Sequence, residues 1–355
     1  MITDHKPEIK ENSGPTPNSP LSITNYQSEE NSPLSITNYQ SEENHPLSII
    51  NYQLLKALAL SEGFFACGIA RACPVDPQVA HAYRSWIADG RHADMHYLAD
   101  NIDKRLDPTL LLDGAQSIIV VALNYAPARR IPDDQYQLAA YAYGRDYHDV
   151  IKQRLRRLIA NGPLSIVDCK IATDTVPILE RYWAWQAGIG FIGRNHQLII
   201  PGAGSMFFLG EIITTARFDH YDQPVANRCG TCHNCIDACP TGALGHSFDA
   251  RRCLSYQTIE HRGPLDADIS DKLGTTIYGC DRCQQSCPWN RFATPTDIPE
   301  LQPSEALLSM TKDDWRHLTI DQYRQLFKGS AVKRTKYEGL MRNIEAKREE
   351  IQRLR

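Results

Sequence analysis

Eight of the eleven cysteines lie in or between two short segments, and their spacing constrains this chain more than any other feature. The first segment reads C-x2-C-x2-C-x3-C and is followed directly by Pro240. The second ends in C-x2-C-x3-C before Pro288. The eight residues are Cys229, Cys232, Cys235 and Cys239, then Cys253, then Cys280, Cys283 and Cys287. Thiols at this spacing predict metal ligands.

The doubled C-x3-C-P ending is typical of bacterial two-cluster ferredoxins. In these proteins three closely spaced thiolates bind one [4Fe-4S] cluster, and the fourth cysteine binds the other cluster. The rule predicts two crossed ligand sets in this chain. The first set is Cys229, Cys232, Cys235 and Cys287, and the second set is Cys239, Cys253, Cys280 and Cys283. Because the sets cross, we expect the clusters to lie close enough for electrons to pass between them.

Zinc and disulfide bonds are weaker interpretations of the same cysteines. Zinc ribbons also pair C-x2-C motifs, but the doubled C-x3-C-P ending is foreign to them. Disulfides are typical of exported proteins, and the N-terminal sequence MITDHKPEIKENSG contains neither an apolar signal segment nor a twin-arginine pair. No apolar stretch is long enough to span a bilayer. We therefore expect a cytoplasmic protein without membrane contact.

The N-terminal residues have a composition unlike that of the remaining chain. The sequence NSPLSITNYQSEE occurs twice in succession, at 18–30 and 31–43, and a diverged third copy follows. A repeat this short and polar predicts a disordered extension over residues 1–52. A chain of 355 residues with 42% apolar content can otherwise form two or more domains.

Charge is concentrated at the C-terminus. The whole chain has a net charge of -4, but residues 328–355 contain nine Lys or Arg and four Glu. Such a segment could face a phosphate backbone, or it could be a solvated helix with internal ion pairs. Both interpretations stay open on charge alone.

Hydrophobic patterns predict alternating helices and strands. One predicted helix runs from near Gln53 to Gly63, and a second spans 78–89. A third runs from a cap at Asp146 to Ala160, and a fourth starts at Pro177. The predicted strands are FFACGIA, the buried run 117–125, and the segments 164–168, 197–200 and 206–214. A loop containing Gly188, Gly190 and Gly193 suggests close approach of the backbone to a ligand, but it is not a dinucleotide-binding motif.

Several segments together resemble the epoxyqueuosine reductases. The matching stretches are YAYGRDYH at 141–148, DTVPILER at 174–181, AGIGFIGRN at 187–195, FFLGEI at 207–212, both cysteine segments, RRCLSYQTIE, and GSAVKRTKYEGLMRNI near the end. The resemblance covers the chain from about Gln53 onward. It implies an α+β fold, in which a nitroreductase-like cobalamin-binding domain is joined to a two-[4Fe-4S] ferredoxin domain. The domain limits that we predict are 53–218 for the catalytic domain, 219–300 for the cluster domain and 301–355 for a basic helical segment.

The resemblance also implies an activity. Epoxyqueuosine at the wobble position of tRNA would be reduced to queuosine by electrons passed from the two clusters to base-off cobalamin. The implied partners are tRNAs for Asn, Asp, His and Tyr with a GUN anticodon, and a low-potential electron donor, with the chain acting as a monomer. The alternatives are a reductive dehalogenase-like corrinoid enzyme and a corrin-free electron carrier.

Particular residues acquire roles through this resemblance. Asp174 matches the proton donor, and the alternative is a cap on the helix beginning at Pro177. An aspartic acid in water has a pKa of about 3.9, so we expect neighbours such as Ile178 to raise it. The cobalamin contacts implied are Arg105, Asp174, Asn195, Leu198 and Ser255, and the tRNA contacts predicted from the basic segment are Lys333, Arg334, Lys336 and Arg342.

Some other reactive residues have no predicted role in the chemistry. Tyr147 and His148 stand beside a helix start, where a histidine is more often structural. Cys67, Cys73 and Cys169 lie outside the cluster pattern and are predicted to be buried thiols.

Overall fold

A four-stranded antiparallel sheet lies at the centre of the computed structural model, which describes residues 49–245 and 247–353, with side chains to 346. The repeats and nearly all of the predicted disordered extension lie outside these residues. The last positions of the predicted extension lie inside them, because Ile49–Ile50 forms a strand and Asn51 caps the first helix.

The structure combines helices and strands, as an α+β fold requires. The strands are β1 Ile49–Ile50, β2 Ala66–Arg71, β3 Ser117–Asn124, β4 Gln137–Leu138, β5 Cys169–Ala172, β6 Phe191–Ile192, β7 Leu198–Ile199, β8 Phe207–Thr214, β9 Arg217–Phe218 and β10 Thr276–Tyr278. The helices are α1 Tyr52–Ser61, α2 Pro77–Ala88, α3 Ile102–Leu106, α4 Tyr147–Ala160, α5 Glu180–Gln186, α6 Asn234–Asp237, α7 Leu254–Ile259, α8 Ala267–Lys272, α9 Arg282–Gln285, α10 Glu305–Leu308, α11 Lys312–Arg316, α12 Ile320–Leu326 and α13 Lys336–Arg353.

The central sheet has the strand order β2-β3-β8-β5 and is covered on both faces. Strand β3 is buried along almost its whole length, which confirms the prediction from its β-branched run. Alternate residues of β3 enter two cores: Ile119 and Val121 pack in the first, and Ile118 and Val120 pack in the second. The sheet therefore holds one helical layer against each face.

Helix α4 agrees closely with its prediction. Asp146 is the N-cap and accepts a hydrogen bond from the His148 backbone N–H at 3.1 Å, and the helix ends at Ala160. Val150, Ile151 and Leu155 are buried in the first core. The cap fixes the position of the first turn of α4, which carries two side chains of the site described below.

Two predicted elements near the site are wrong. Residues 164–168 do not form a strand, because Pro163–Ile166 is a 3-10 helix and the strand is Cys169–Ala172. Helix α5 begins at Glu180 rather than at Pro177, and its N-cap is Leu179. Asp174 therefore does not cap this helix, and it lies in the loop from 173 to 179.

The cysteine segments and the C-terminal helices pack against the sheet domain. Strand β10, just before Cys280, pairs in parallel with β4. The first core runs from Ile50 to Ile344 and includes Trp315 and Leu340. No helix in the described part of the chain is long and apolar enough to cross a membrane.

Candidate active site and metal centre

The first predicted thiol set lines one cavity. Its four members, Cys229, Cys232, Cys235 and Cys287, surround a space of about 310 Å³. Three come from the segment around α6, and Cys287 lies two residues after α9, a helix that packs against α6. Thiols from both segments therefore line the same cavity, and the crossed assignment of cluster ligands stays a prediction. Within the described residues, no three His, Cys, Asp or Glu side chains form a group that could hold a single metal ion.

The second set also lies together. Burial raises the pKa of Cys283, and the charges of Cys280, Cys253 and Cys239 raise it further, as expected of thiols that are near neighbours. The thiols of both sets are free, as is Cys73, which is exposed rather than buried as predicted. Of the other two remaining thiols, Cys67 is buried and Cys169 is half-buried.

Asp174 lies in the loop between β5 and α5 with a backbone φ of 53°, in the left-handed region. The Tyr147 hydroxyl donates a hydrogen bond to its Oδ2 at 2.6 Å, and His148 Nε2 lies 3.6 Å from the same oxygen. The Asp174 backbone N–H donates to the Glu180 carboxylate. Its side chain is 58% exposed. The loop thus presents a carboxylate that contacts Tyr147 and His148 on one side and is exposed to solvent on the other.

The pKa of Asp174 differs from the expectation. Desolvation raises it, but the close positive charge of His148, the hydrogen bond from Tyr147 and the charge of Arg181 lower it below the usual value. Ile178 is buried in the second core and does not reverse this balance. The predicted rise is therefore wrong for the protein alone, because two donors stabilise the carboxylate.

The proton-carrying groups lie next to Asp174 instead. Burial lowers the pKa of His148, but the hydrogen bond with Asp146 and the negative charges of Asp146 and Asp174 raise it to about 9. His148 Nδ1 lies 2.6 Å from Asp146 Oδ1. Burial and the charge of Asp174 raise the pKa of Tyr147. Both neighbours consequently hold their protons at neutral pH.

Two further carboxyl groups lie behind the loop. Burial and the charge of Asp174 raise the pKa of Glu180 to about 7. Glu211, in the middle of β8 opposite Ala172, has no exposed surface. Neither of its carboxyl oxygens has a hydrogen-bond partner in the described structure. Burial raises the pKa of Glu211 well above its usual value, and Glu180 adds to the rise.

We expect Glu211→Gln to remove a pH dependence of stability. An unfolded glutamate loses its proton near pH ~4.3, whereas the folded Glu211 keeps it. The stabilisation from this proton is complete below the unfolded pKa and is lost as the pH rises through the folded pKa, with a slope of up to about 1.4 kcal/mol per pH unit. The Tm of the variant minus the Tm of the unsubstituted protein should therefore increase as the pH rises from 5 to 8.

Anaerobic thermal melts followed by circular dichroism measure this difference. The exposed Glu345→Gln variant is the matched control, and its Tm should keep a constant offset across the same range. Equal pH trends for the two variants would contradict a protonated Glu211.

The residues that the resemblance links to cobalamin are spread over three elements and two loops. Arg105 is buried in α3, where its Nη2 donates to the Tyr97 carbonyl at 3.0 Å and its Nε has no partner among the described residues. Asn195 is also buried and lies 3.5 Å from the Cys283 carbonyl. Leu198 is in β7 and Ser255 is in α7, two residues after Cys253. Asn195 and Ser255 therefore lie beside the thiol sets.

Tyr97 connects Asp174 to the basic segment. Burial raises the pKa of Tyr97 to about 12; the charges of Glu260 and Asp174 also raise it, while Arg334 and Arg105 lower it. The Arg334 guanidinium lies 5.6 Å from the Tyr97 ring centroid. Arg105 and Arg334 therefore both contact Tyr97, and the charge of Asp174 acts on its hydroxyl group.

The four predicted tRNA contacts have different environments. Arg334 forms an ion pair with Glu260 at 2.8 Å. Arg342 donates to the backbone carbonyls of Gln257, His261 and Gly263, so its guanidinium is engaged in holding the chain after α7. Lys333 and Lys336 are exposed, and no hydrogen bond or ion pair of either side chain occurs in the described residues.

The sequence assigned no role in the chemistry to Tyr147 and His148, but the structure places both side chains at Asp174. Both stand in the YAYGRDYH segment, and Asp146 places them on the first turn of α4. The N-cap was visible in the sequence, but their distance to Asp174 was not. Tyr147 also stacks on Phe208 at 4.3 Å, which fixes the direction of its hydroxyl group.

Comparison with known proteins identifies the family. Residues 228–290 match the 4Fe-4S double cluster binding domain, and residues 105–175 match Epoxyqueuosine reductase QueG, DUF1730. The epoxyqueuosine reductase of Cellulophaga algicola is 41% identical over 296 residues, which cover 82% of this chain and 96% of that protein. This chain belongs to the epoxyqueuosine reductase family. It is therefore an oxidoreductase with an iron-sulfur domain.

Solved epoxyqueuosine reductases agree with this assignment. The enzyme from Streptococcus thermophilus is 30% identical, with a TM-score of 0.73 over 84% of this chain and 80% of that one. A structure of an epoxyqueuosine reductase with an epoxyqueuosine-modified tRNA-Tyr stem loop is 29% identical, with a TM-score of 0.74 over 83% and 80% of the two chains. The resemblance predicted from short motifs is confirmed.

Proposed function

We propose that this chain reduces epoxyqueuosine to queuosine at the wobble position, position 34, of tRNA. One observation carries the proposal: Asp174 is open to solvent in front and held by two proton-bearing side chains behind. The family assignment supports the substrate, since a relative was solved with an epoxyqueuosine-modified stem loop. The Bacillus subtilis relative, 28% identical with a TM-score of 0.74 over 83% of this chain and 81% of that one, has an aspartate catalytic loop that swings out of its active site.

The two thiol sets are proposed to bind one [4Fe-4S] cluster each. Cys229, Cys232, Cys235 and Cys287 would hold the first cluster, and Cys239, Cys253, Cys280 and Cys283 would hold the second. Support comes from the cavity that the first set lines and from the mutual effects of the second set on the pKa of Cys283. Ligands from both segments would keep the clusters near each other.

A buried donor among the predicted cobalamin contacts suits a corrin ring. The buried Arg105 Nε is a donor without an acceptor in the described structure, and corrin amide side chains offer carbonyl acceptors. We propose that Arg105, Asn195, Leu198 and Ser255 contact base-off cobalamin beside Asp174. When bound, cobalamin would supply a strongly nucleophilic, low-potential cobalt that opens an epoxide.

Asp174 is proposed to deliver a proton to the oxygen that leaves carbon. The whole reaction converts an epoxide, two electrons and two protons to an alkene and water. His148, with its pKa of about 9, is protonated at neutral pH and could return a proton to Asp174 Oδ2, which lies 3.6 Å from its Nε2. Tyr147 orients the same oxygen. Because its low pKa leaves the Asp174 carboxylate ionised at neutral pH, the proton that Asp174 passes to the leaving oxygen would come from the protonated His148.

The tRNA partner is proposed to contact the segment before and at the start of α13. Lys333 and Lys336 are exposed cations that could face phosphates. Arg334 lies near Tyr97 at the Asp174 site, where a base turned out of the anticodon loop would enter. Arg342 would act indirectly, by fixing the chain at His261 and Gly263. The substrates proposed are the Asn, Asp, His and Tyr tRNAs.

Replacing both Lys333 and Lys336 by Ala is expected to weaken tRNA binding about tenfold at physiological salt, because each phosphate contact releases counterions. The slope of log Kd against log salt should also fall by about two units. Filter binding with an epoxyqueuosine-containing tRNA measures both. Lys170→Ala combined with Lys312→Ala is the control, because both lysines lie outside the basic segment 328–355. Equal losses in the two double variants would argue against the assigned surface.

The proposed activity is tested with anaerobically reconstituted protein, cobalamin and a chemical reductant. Mass spectrometry of nucleosides from the treated tRNA should show the epoxide converted to queuosine. Conversion without added corrin would remove cobalamin from the proposal. Failure to bind corrin at all would favour an electron carrier, and turnover of aryl halides without epoxide reduction would favour a dehalogenase-like enzyme.

A further inference from the structure

Three arginines surround the opening of the first thiol cavity. Arg194, Arg228 and Arg291 line it together with Trp289 and Phe292. We call these five residues the arginine face. All three arginines are exposed, and 40% of the Phe292 side chain is exposed. The arginine face therefore combines exposed cations with aromatic surface in the lining of the same cavity as the thiols of the first set.

The three arginines are held in different ways. Arg194 donates to the Gly230 carbonyl at 2.7 Å and to the Cys232 carbonyl at 3.2 Å, so it supports the loop that carries the first thiols. The Arg291 guanidinium lies 4.6 Å from the Phe292 ring centroid. No ion pair involving Arg228 or Arg291 occurs among the described residues. Within residues 49–245 and 247–346, these two cations of the cavity lining therefore form no ion pair.

Exposed arginine next to exposed aromatic surface is the composition that protein interfaces favour. An unpaired positive patch also steers negatively charged partners toward itself. The patch lines the cavity of the first thiol set, so a partner bound there would be next to the proposed first cluster. The proposed reaction consumes two electrons, and an iron-sulfur cluster accepts them one at a time.

We propose that the arginine face is the docking site for an acidic protein that carries single low-potential electrons on a flavin or an iron-sulfur cluster. This inference rests on the proposed function. Two reduced carriers would each give one electron to the first cluster and leave oxidised. The two electrons, with two protons from solvent, convert the epoxide to an alkene and water, and Asp174 delivers the proton to the leaving oxygen.

The test uses the reconstituted full chain with both clusters and the double substitution Arg228→Glu and Arg291→Glu. Arg194 is left unchanged because it supports the thiol loop. The electron donor is reduced plant-type [2Fe-2S] ferredoxin, an acidic carrier. Stopped-flow bleaching of the cluster absorbance gives the rate of cluster reduction, which does not depend on epoxide turnover. A second arm uses the methyl viologen radical cation, a small donor that needs no docking.

The expected result is a fall of tenfold or more in the second-order rate with ferredoxin and no fall with methyl viologen. In the unsubstituted protein the ferredoxin rate should decrease as salt screens the attraction. The control is Arg129→Glu with Arg324→Glu, which changes the net charge equally at two residues that do not line the cavity. It should keep most of the ferredoxin rate.

Three results would overturn the docking site. These are an unchanged ferredoxin rate in the double variant, an equal loss in the control, and an equal loss with methyl viologen, which would mean that the arginines act on the cluster itself. Because the readout is cluster reduction, it remains valid if the epoxide proves not to be the substrate. A failure of the docking site is thus distinct from a failure of the proposed function.

Discussion

Asp174→Asn is expected to lower kcat for epoxide reduction by about two to four orders of magnitude, the usual contribution of a positioned proton donor. Asparagine has nearly the same shape and accepts the left-handed backbone that residue 174 adopts, with φ at 53°. It can also accept the Tyr147 hydrogen bond. The amide cannot pass on a proton, so the loss should fall on the chemical step.

Single-turnover conversion of epoxyqueuosine-containing tRNA measures the effect, with iron and corrin content determined on the same sample. Asp149→Asn, an exposed aspartate on the first turn of α4, is the matched control and should retain activity. Activity retained in Asp174→Asn, with both cofactors present, would remove Asp174 from the role of donor. Loss of cofactors in that variant would instead assign it a structural role.

Cys229→Ala combined with Cys287→Ala is expected to lower the iron content from about eight to about four atoms per chain. In the crossed assignment both cysteines belong to the first cluster, so the second substitution adds no further loss. In an uncrossed assignment each would belong to a different cluster, and both clusters would be damaged. Epoxide reduction should be lost in either case, because the path for electrons is interrupted.

Iron analysis and electron paramagnetic resonance of anaerobically prepared protein distinguish the two assignments. Cys73→Ala is the control, since Cys73 is an exposed thiol outside both sets, and it should keep about eight irons. Fewer than about four irons in the double variant would reject the crossed arrangement. About four irons in the unsubstituted protein would reject the second cluster.

Local sequence signals predicted the elements that depend on neighbouring residues. The cap at Asp146 and the apolar positions Val150, Ile151 and Leu155 placed α4, because helix caps and helical periodicity act over a few residues. The β-branched run of β3 was likewise sufficient to predict a buried strand. The region 163–180 was predicted less well, since a proline-containing turn and a left-handed aspartate depend on contacts with α4 and the sheet.

The candidate site also contains a part that the sequence predicted and a part that only the tertiary structure determined. Cysteine spacing by itself predicted the two thiol sets, because cluster ligands follow a fixed pattern along the chain, and the motifs by themselves predicted the family. Only the tertiary structure brought Tyr147, His148 and Glu180 to Asp174 and turned the Arg342 guanidinium toward backbone carbonyls. Residues 27 positions apart meet here through the packing of α4 on the sheet, and the resulting charges and hydrogen bonds set the pKa values that the sequence could not supply.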